Sequence, residues 1–266
     1  MPGLAPFDTI PAFHYTSLEM TEPNDVAQGP GPKLEPPASG AEFNALEEII
    51  YRRRSVRFYK KRQVPEYLVR RLLETARFAP SSGNAQPWKF IVVQDQKMIA
   101  EMTRDVISFC RLVMRFIGYM GGRNLLKEWT AKLFQRLMNN MLHPIPFVAL
   151  KLIAEEKLGL WHGAPTVIII LTDSRCPGDP AVDVGIAGQN LVLTAHSYGL
   201  GTCWVSFCTP IAMMPKWRKR LGIKYPYKLV TSVALGYPRG NPDNYVSRET
   251  TALDWFAEDG TFKVVY

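Results

Sequence analysis

One run of the sequence has the residue types needed to bind a phosphate group. Residues 53–57, here called the basic segment, read Arg53-Arg54-Ser55-Val56-Arg57. Guanidinium groups bind phosphate oxygens in pairs, and the serine hydroxyl adds a further contact. A solvated helix end is the simpler interpretation, because cations are favourable at a helix C-terminus. Nucleic-acid binding is a third interpretation, although the interleaved aromatics or basic recognition helix that it requires are not evident.

A second run is rich in groups that both donate and accept hydrogen bonds. Residues 79–88, here called the polar loop, contain Pro80, Ser81, Asn84 and Gln86 before Trp88. Hydroxyl and carboxamide groups of this kind suit the edge of a flat heterocycle with alternating donors and acceptors. An ordinary connection between a helix and a strand is the alternative.

Two later runs add weaker signals. Gly199 and Gly201 let the backbone turn sharply from a helix into a strand. Beyond them, the backbone N–H groups of Val205 and Ser206 can point at a ligand atom that becomes negatively charged. Further on, Leu235-Gly236-Tyr237-Pro238 ends a strand, and Arg248 is either a second phosphate ligand or a surface arginine.

Cysteine and histidine usage argues against several other chemistries. The four cysteines form no Cys-x-x-Cys pair, which disfavours a zinc ribbon, a dithiol redox motif and a disulfide scaffold. No metal site is predicted, because the histidines are scattered. Cys203, beside Trp204, is interpreted as a small core residue rather than a nucleophile. The histidines are His14, His143, His162 and His196.

Alternating periodicities predict a central sheet between helices. Helices are expected from Phe43 into the basic segment, from Pro65 to Pro80, between Asp179 and Gly199, and from Pro210 to Leu221. Strands are expected at Phe90–Val93, Thr166–Leu171, Thr202–Phe207 and Leu229–Leu235. This order of elements indicates an α/β or α+β protein.

Composition sets the domain plan. The 266 residues carry 32 Lys+Arg against 24 Asp+Glu, a net charge of +8, which suggests an anionic partner. Residues 1–40 are proline-rich and are predicted to be an extended or disordered leader, and residues 41–266 a single domain. The longest purely apolar run, Val167–Leu171, is far too short to span a membrane. We therefore expect a soluble, cytoplasmic protein with reduced thiols.

Residues 97–158 differ from their surroundings. They read as three amphipathic helices, rich in methionine and arginine, that break near Gly118 and again at Pro144. Methionines on helices usually belong to a core, but they also suit an adaptable lid over a bulky substrate. Contact with a membrane surface or a partner protein is a third interpretation.

Taken together and in order, these runs resemble the nitroreductase family of FMN-dependent oxidoreductases. The family shows a basic RRSxR turn, then APSxxNxQPW, then a QNxxLxAxxxGLGTxW unit, then LGYP and a late arginine. Here these read as the basic segment, the polar loop, Gln189 to Trp204, Leu235 to Pro238, and Arg248. The resemblance covers about residues 43–96 and 163–255 and leaves the leader and 97–158 uncovered.

The resemblance implies an α+β, three-layer fold with a central mixed sheet flanked by helices, the helical insertion at 97–158, and an intertwined homodimer with FMN at the interface. By position, Arg53, Arg54, Ser55 and Arg57 would hold the FMN phosphate and ribityl chain, with Arg248 completing the clamp. Pro80, Ser81, Asn84 and Gln86 would meet the isoalloxazine, partly from the other subunit. The backbone N–H groups of Val205 and Ser206 would lie near flavin N5 and O4. The C-terminal Thr261–Tyr266 would add a strand to the partner's sheet.

The activity implied is ping-pong hydride transfer. NAD(P)H would reduce the flavin at N5, leave, and be replaced by a planar acceptor such as a nitroaromatic or a quinone. No catalytic side chain is then required, because the flavin carries the chemistry. One alternative is a flavin-dependent oxidase or dehydrogenase of a metabolite or modified peptide. Another is a non-catalytic flavin protein that docks a partner or membrane through 97–158. Nucleic acid is not expected as a partner.

Overall fold

The computed structural model describes residues 42–120, 144–240 and 253–265, with the backbone alone for 116–120, 144–148, 253 and 265. The helices in this part are α1 (Ala45–Arg52), α2 (Glu66–Arg77), α3 (Gln96–Met120), α4 (Pro144–Ala154), α5 (Pro180–Ser197), α6 (Pro210–Met213) and α7 (Pro215–Arg220). The strands are β1 (Trp88–Val93), β2 (Thr166–Asp173), β3 (Gly201–Val205), β4 (Tyr227–Gly236), β5 (Leu253–Phe256) and β6 (Phe262–Val265). The leader predicted for 1–40 lies outside the described residues.

Four strands form the central sheet in the order β1-β2-β4-β3, and each neighbouring pair is antiparallel. The basic segment lies beyond β3, where Ser55 forms a parallel bridge with Thr202. Strands β5 and β6 form a separate hairpin. The α+β class is confirmed. Among the described strands, the expected mixed character of the sheet is limited to that one parallel bridge.

Strand β2 divides the hydrophobic core into two layers. All of its residues are buried, which explains its continuous apolar run. Val167, Ile169 and Leu171 face one cluster with residues of α3 and α4. Ile168 and Ile170 face a second cluster with residues of α2 and α5. The sheet is therefore the middle of three layers, because successive side chains of a strand point to opposite faces.

Local signals account for the helix boundaries near the basic segment. Asn44 caps α1 by accepting hydrogen bonds from the N–H groups of Leu46 (3.0 Å) and Glu47 (2.9 Å), and the Glu47 carboxylate accepts from the Asn44 N–H in return. The helix ends at Arg52, and Arg53 has extended dihedral angles of φ −62° and ψ 132°. The basic segment is therefore an extended chain and not the last turn of a helix.

Helix α5 begins and ends where the sequence predicts. Asp179 caps it by accepting from the Ala181 N–H at 3.0 Å, and Pro180 is its first residue. After the helix, Gly199 has a φ of +67°, which suits a glycine. The indole of Trp204 packs against Gly188 of this helix, so closely that a Cβ at Gly188 would lie 2.1 Å from Trp204 Cη2.

The structure corrects three predicted boundaries and places the start of a helix at Pro144. Helix α3 continues through Gly118 to Met120, because a single glycine weakens a helix without necessarily ending it. Pro144 begins α4, where a first-turn proline loses no hydrogen bond. The helix expected from Pro210 to Leu221 is two helices, α6 and α7, and the second starts at Pro215. Strand β3 ends at Val205 because Ser206–Cys208 form a 3-10 turn.

The described parts of residues 97–158 contribute to the core. Met102 is fully buried, and Met98 and Met114 pack against the same cluster. Met98, Met102 and Met114 of α3 are therefore core residues. Residues 121–143 lie outside the described ranges. Within those ranges, none of the helices is long and apolar enough to cross a membrane.

The contact between Gly188 and Trp204 gives a direct test of the packing of α5 on the sheet. We expect Gly188→Ala to lower the free energy of unfolding by about 1–3 kcal/mol, because the added methyl overpacks the indole. Gly185→Ala is the matched control, since a Cβ there has no atom within 4 Å. The control should be neutral or stabilising by about 1 kcal/mol, from helix propensity. Urea unfolding of both variants measures the difference, and equal effects would contradict the packing.

Candidate functional site

The basic segment is held along the open edge of β3. The Val56 N–H donates to the Thr202 carbonyl at 2.9 Å, beside the bridge between Ser55 and Thr202. Because Gly201 has no side chain, Val56 packs directly on it, and a Cβ at Gly201 would lie 2.8 Å from Val56 Cβ. The basic segment therefore has a defined register against the sheet.

Three side chains of the basic segment act on the buried Cys203 of β3, namely Arg53, Ser55 and Arg57. Burial raises the pKa of the Cys203 thiol, whereas the charge of Arg57, a hydrogen bond with Ser55 and the charge of Arg53 each lower it. Two guanidinium groups and one hydroxyl thus lie within electrostatic or hydrogen-bonding reach of one thiol. Arg54, which the family motif grouped with them, is not among the groups that act on this thiol.

Tyr59 fixes the end of the basic segment to the sheet. Its hydroxyl donates to the Val56 carbonyl at 2.7 Å and lies 3.4 Å from the Ala234 carbonyl of β4. Burial strongly raises the pKa of Tyr59, the neighbouring Cys203 raises it further, and the charge of Arg57 opposes both. The phenol therefore remains a neutral donor that joins the basic segment to β4.

His162 lies close enough to Arg57 for the guanidinium charge to lower the pKa of the imidazole. It sits in the turn before β2 with a φ of +54°. Burial, and then the positive charge of Arg57, lower the pKa of His162 from 6.5 to about 4. Its Nδ1 is buried and has no hydrogen-bond partner among the described residues. A polar atom of this kind beside a guanidinium fits a site that a polar ligand completes.

The polar loop has an unusual backbone. Asn84 and Gln86 have φ values of 55° and 47°, next to Gly83 at 57°. Left-handed conformations cost energy in residues other than glycine and concentrate at binding sites. Within the loop, the Gln86 N–H donates to Ser81 Oγ at 2.9 Å, and Gln86 Nε2 donates to Asn84 Oδ1 at 3.1 Å. The loop is thus ordered by its own polar groups, with Pro80, Asn84 and Gln86 exposed.

The loop is fixed to the start of α5. The Ser82 N–H contacts both carboxylate oxygens of the buried Asp183, at 3.4 and 3.3 Å. Gly178, with a φ of +73°, passes so close that a Cβ there would lie 2.4 Å from Ser82 Oγ. The N-terminal end of α5 therefore supports the loop, whereas its C-terminal end leads into β3.

At the end of β3, Val205 is buried and Ser206 is exposed. Ser206 Oγ lies 3.4 Å from Thr231 Oγ1 of β4. In the adjacent ladder position, Ser232 Oγ donates to the Val205 carbonyl at 2.8 Å. Strands rise about 3.3 Å per residue, which places Ser206 about 13 Å along the edge from Thr202. One edge of the sheet thus carries both the basic segment and the Val205–Ser206 peptide.

A single chain does not bring all the predicted site residues together. The polar loop precedes β1 at one edge of the sheet, whereas the basic segment lies beyond β3 at the other. Four strand spacings, about 19 Å across the sheet, lie between β1 and the basic segment. The residues at the β3 edge are Arg53, Arg54, Ser55, Arg57, Val205 and Ser206, and those in the polar loop are Pro80, Ser81, Asn84 and Gln86. Arg248 lies outside the described residues.

Sequence reasoning missed four residues that support this edge. Tyr59, Trp161 and His162 have no motif spacing that marks them. Ser232 had a signal, because it follows Thr231 as a second polar residue inside the apolar run of β4, and both are buried. Polar residues buried in a central strand usually have a hydrogen-bonding role.

Comparison with known proteins places this arrangement in a family. The model of the nitroreductase family matches residues 50–237, well over half of the chain. A 4-nitrobenzoate reductase of Nocardioides sp. is 31% identical over 235 residues, which cover 83% of this chain and 88% of that protein. A protein of Archaeoglobus fulgidus, named as a candidate NADH dehydrogenase/NAD(P)H nitroreductase, is 28% identical over 199 residues, covering 74% of this chain and 88% of its own.

The fold has solved counterparts as well. A crystal structure of a nitroreductase with bound FMN from Desulfitobacterium hafniense has a TM-score of 0.56 and 24% sequence identity to this chain. The match covers 78% of this chain and 96% of that protein. The similarity establishes a shared fold.

The depressed pKa of His162 predicts a pH-dependent loss of stability. Unfolded His162 binds its proton near pH 6.5 and the folded residue near pH 4, so the unfolded state holds more protons between these values. We expect the free energy of unfolding to fall as the pH drops through this window, by a total on the order of 3 kcal/mol. In urea unfolding, His162→Gln should remove that part of the pH dependence. A variant with the profile of the natural protein would refute the assignment.

Proposed function

Since this chain belongs to the nitroreductase family, we propose that it is an FMN-dependent oxidoreductase that transfers hydride from NAD(P)H to a planar acceptor such as a nitroaromatic or a quinone. The observation that carries the proposal is that the basic segment pairs with the strand that ends at Val205, where Arg53, Ser55 and Arg57 all act on Cys203. The crystallised relative with bound FMN supports the same cofactor.

The residues at the β3 edge fit the phosphate of FMN. Two guanidinium groups and a hydroxyl match the charge and the hydrogen-bonding needs of a phosphate monoester. His162, whose buried Nδ1 has no partner among the described residues, lies within reach of the Arg57 charge. We propose that Arg53, Ser55 and Arg57 hold the phosphate, with Arg54 less directly involved and Arg248 as an additional ligand.

Bound FMN would supply a two-electron carrier, taking hydride from NAD(P)H and passing it to the acceptor that next occupies the same face. The chain itself binds, orients and shields. We propose that the Ser206 N–H, at the end of β3, is the backbone donor to the ligand. The buried Cys203 thiol has a raised pKa and is not suited to act as a nucleophile. No side chain of the described residues is assigned a proton-transfer role.

We further propose that each site is built from two chains. Within one chain the polar loop and the basic segment lie at opposite edges of the sheet, so a second copy can supply the loop that a single copy places elsewhere. Exposed apolar side chains on α1 and after the C-terminal end of α2 support an interface: Leu46 and Ile50 of α1 are 59% and 46% exposed, and Phe78 is 80% exposed.

The C-terminal hairpin supports the same assembly. Strands β5 and β6 pair only with each other among the described strands, and Trp255, Phe256 and Phe262 are largely exposed. An isolated two-stranded hairpin is at best marginally stable in water. We propose that it packs against the partner chain, with the pairing of β6 to β5 retained.

Substitution of Arg57 tests the phosphate site. We expect Arg57→Ala to raise the Kd of FMN about 10- to 100-fold, the range for a lost charge-assisted hydrogen bond. Arg52→Ala is the matched control, because it removes the same charge from the exposed end of α1 and should change the Kd little. Arg54→Ala should have a smaller effect than Arg57→Ala. Titration of FMN followed by fluorescence measures all three.

The same preparations test the activity. The purified protein should be yellow, and anaerobic NAD(P)H should bleach it before a nitroaromatic or quinone restores the colour. A protein that stays colourless with added FMN would end the proposal. Bleaching by an organic substrate, but not by NAD(P)H, would indicate the oxidase or dehydrogenase alternative.

Mixing two defective chains tests the two-chain site. One variant is Arg57→Ala, and the other is Asn84→Gly with Gln86→Gly, which removes the loop side chains but keeps the left-handed backbone accessible. A mixed dimer would contain one site with all the defects and one intact site. Coexpression should therefore restore tight FMN binding to one site in each mixed dimer. If mixed dimers form and tight binding is not restored, each site must take its polar loop and its basic segment from the same chain, and the proposal is wrong.

A further inference from the structure

We propose that Trp161 and Ser232 are positioning residues that fix the orientation of the Val205–Ser206 peptide and so aim the Ser206 N–H at the ligand of the β3 edge. The proposal rests on the proposed function, because the ligand in question is FMN. It assigns a role to two buried residues outside the recognised motifs.

A chain of two hydrogen bonds joins these residues to the peptide. Trp161 Nε1–H donates to Ser232 Oγ at 2.9 Å, and Ser232 Oγ–H donates to the Val205 carbonyl at 2.8 Å. Trp161 is 2% exposed and Ser232 is fully buried. Because Ser232 Oγ accepts the indole N–H, the serine hydroxyl proton is free to bond to the Val205 carbonyl. The direction of the chain is therefore set by Trp161, which has a donor and no acceptor.

The geometry of the peptide unit carries this orientation to the other side of the strand. The carbonyl of Val205 and the N–H of Ser206 belong to one planar trans unit, in which they point in opposite directions. The Val205 carbonyl is directed toward β4, where Val205 pairs with Ser232. The Ser206 N–H is consequently directed away from β4, toward the open edge.

The same edge already carries the basic segment. The Thr202 carbonyl faces it, as its hydrogen bond from the Val56 N–H requires. Backbone groups of an antiparallel strand alternate in direction, so Thr202, Trp204 and Ser206 face the edge and Val205 faces β4. The register thus selects Ser206, and not Val205, as the backbone donor toward the proposed ligand.

Fixing this peptide matters because it lies where β3 ends. Ser206 starts a 3-10 turn that closes with the Thr209 N–H donating to the Ser206 carbonyl at 3.2 Å, so the sheet ladder no longer holds the peptide on its far side. The Cys208 thiol also lies within hydrogen-bonding reach of Ser232 and competes for its hydroxyl. Without the indole donor, the hydroxyl can turn away from Val205. A preoriented N–H stabilises developing negative charge better than one that must reorient.

The test is the reduction potential of FMN bound to the full-length protein. We expect Trp161→Phe and Ser232→Ala each to make reduction less favourable by about tenfold in the equilibrium constant, equivalent to about 30 mV for a two-electron couple. The Kd of oxidised FMN should change far less than in Arg57→Ala, because the phosphate contacts are intact. Ser232→Thr keeps a hydroxyl at this position and should retain the natural potential.

Trp217→Phe is the matched control. Trp217 is fully buried in the same core layer, and its Nε1–H donates to Asp105 Oδ2 at 2.8 Å, with no link to Val205. It should destabilise the protein about as much as Trp161→Phe without moving the potential. Equal shifts in both variants, or no shift in Trp161→Phe and Ser232→Ala, would overturn the inference. Absence of FMN binding by the natural protein would instead overturn the proposed function.

Discussion

The hydrogen bond between the Val56 N–H and the Thr202 carbonyl sets the register on which the site depends. It holds the basic segment at the open edge of β3, and Gly201 makes room for Val56 to lie against the sheet. A slip of one residue would bring a different set of side chains next to Cys203, on which Arg53, Ser55 and Arg57 now act. The choice of phosphate ligands is thus a consequence of strand pairing.

Positive charge concentrated at this edge also shapes the groups around it. The charge of Arg57 reinforces the effect of burial on His162, whose pKa falls to about 4, so the imidazole is neutral at physiological pH. Tyr59 stays protonated for the same structural reason, its burial between the basic segment and β4. Neutral groups therefore lie near Arg57, namely His162, Tyr59 and Cys203. An anionic ligand at this edge would agree with the net charge of +8.

Local signals in the sequence predicted the elements well, and the family resemblance is confirmed by the family model. Asp179, Pro180 and Gly199 bound α5, and the apolar run at Val167–Leu171 is the buried β2, because capping and burial act over a few residues. The order of strands in a sheet, by contrast, depends on contacts between segments that are far apart in the sequence. The resemblance placed Asn84 and Arg57 in one site, partly from the other subunit, and the sheet order β1-β2-β4-β3 separates them within one chain by the full width of the sheet. Trp161 is likewise linked to Val205 by Ser232 of β4, a residue far from both in the sequence.

This separation has a thermodynamic consequence for the proposed assembly. If one chain contributes the basic segment and its partner the polar loop, a ligand that touches both binds the dimer and not the monomer. Ligand binding and dimerisation then favour each other by the same factor, because linkage is reciprocal. Phe78 lies at the end of the helix that leads into the polar loop, and its apolar ring is exposed in a single chain. Its burial would accompany completion of the site, so a single association step would both cover the apolar surface and assemble the two halves of the binding edge.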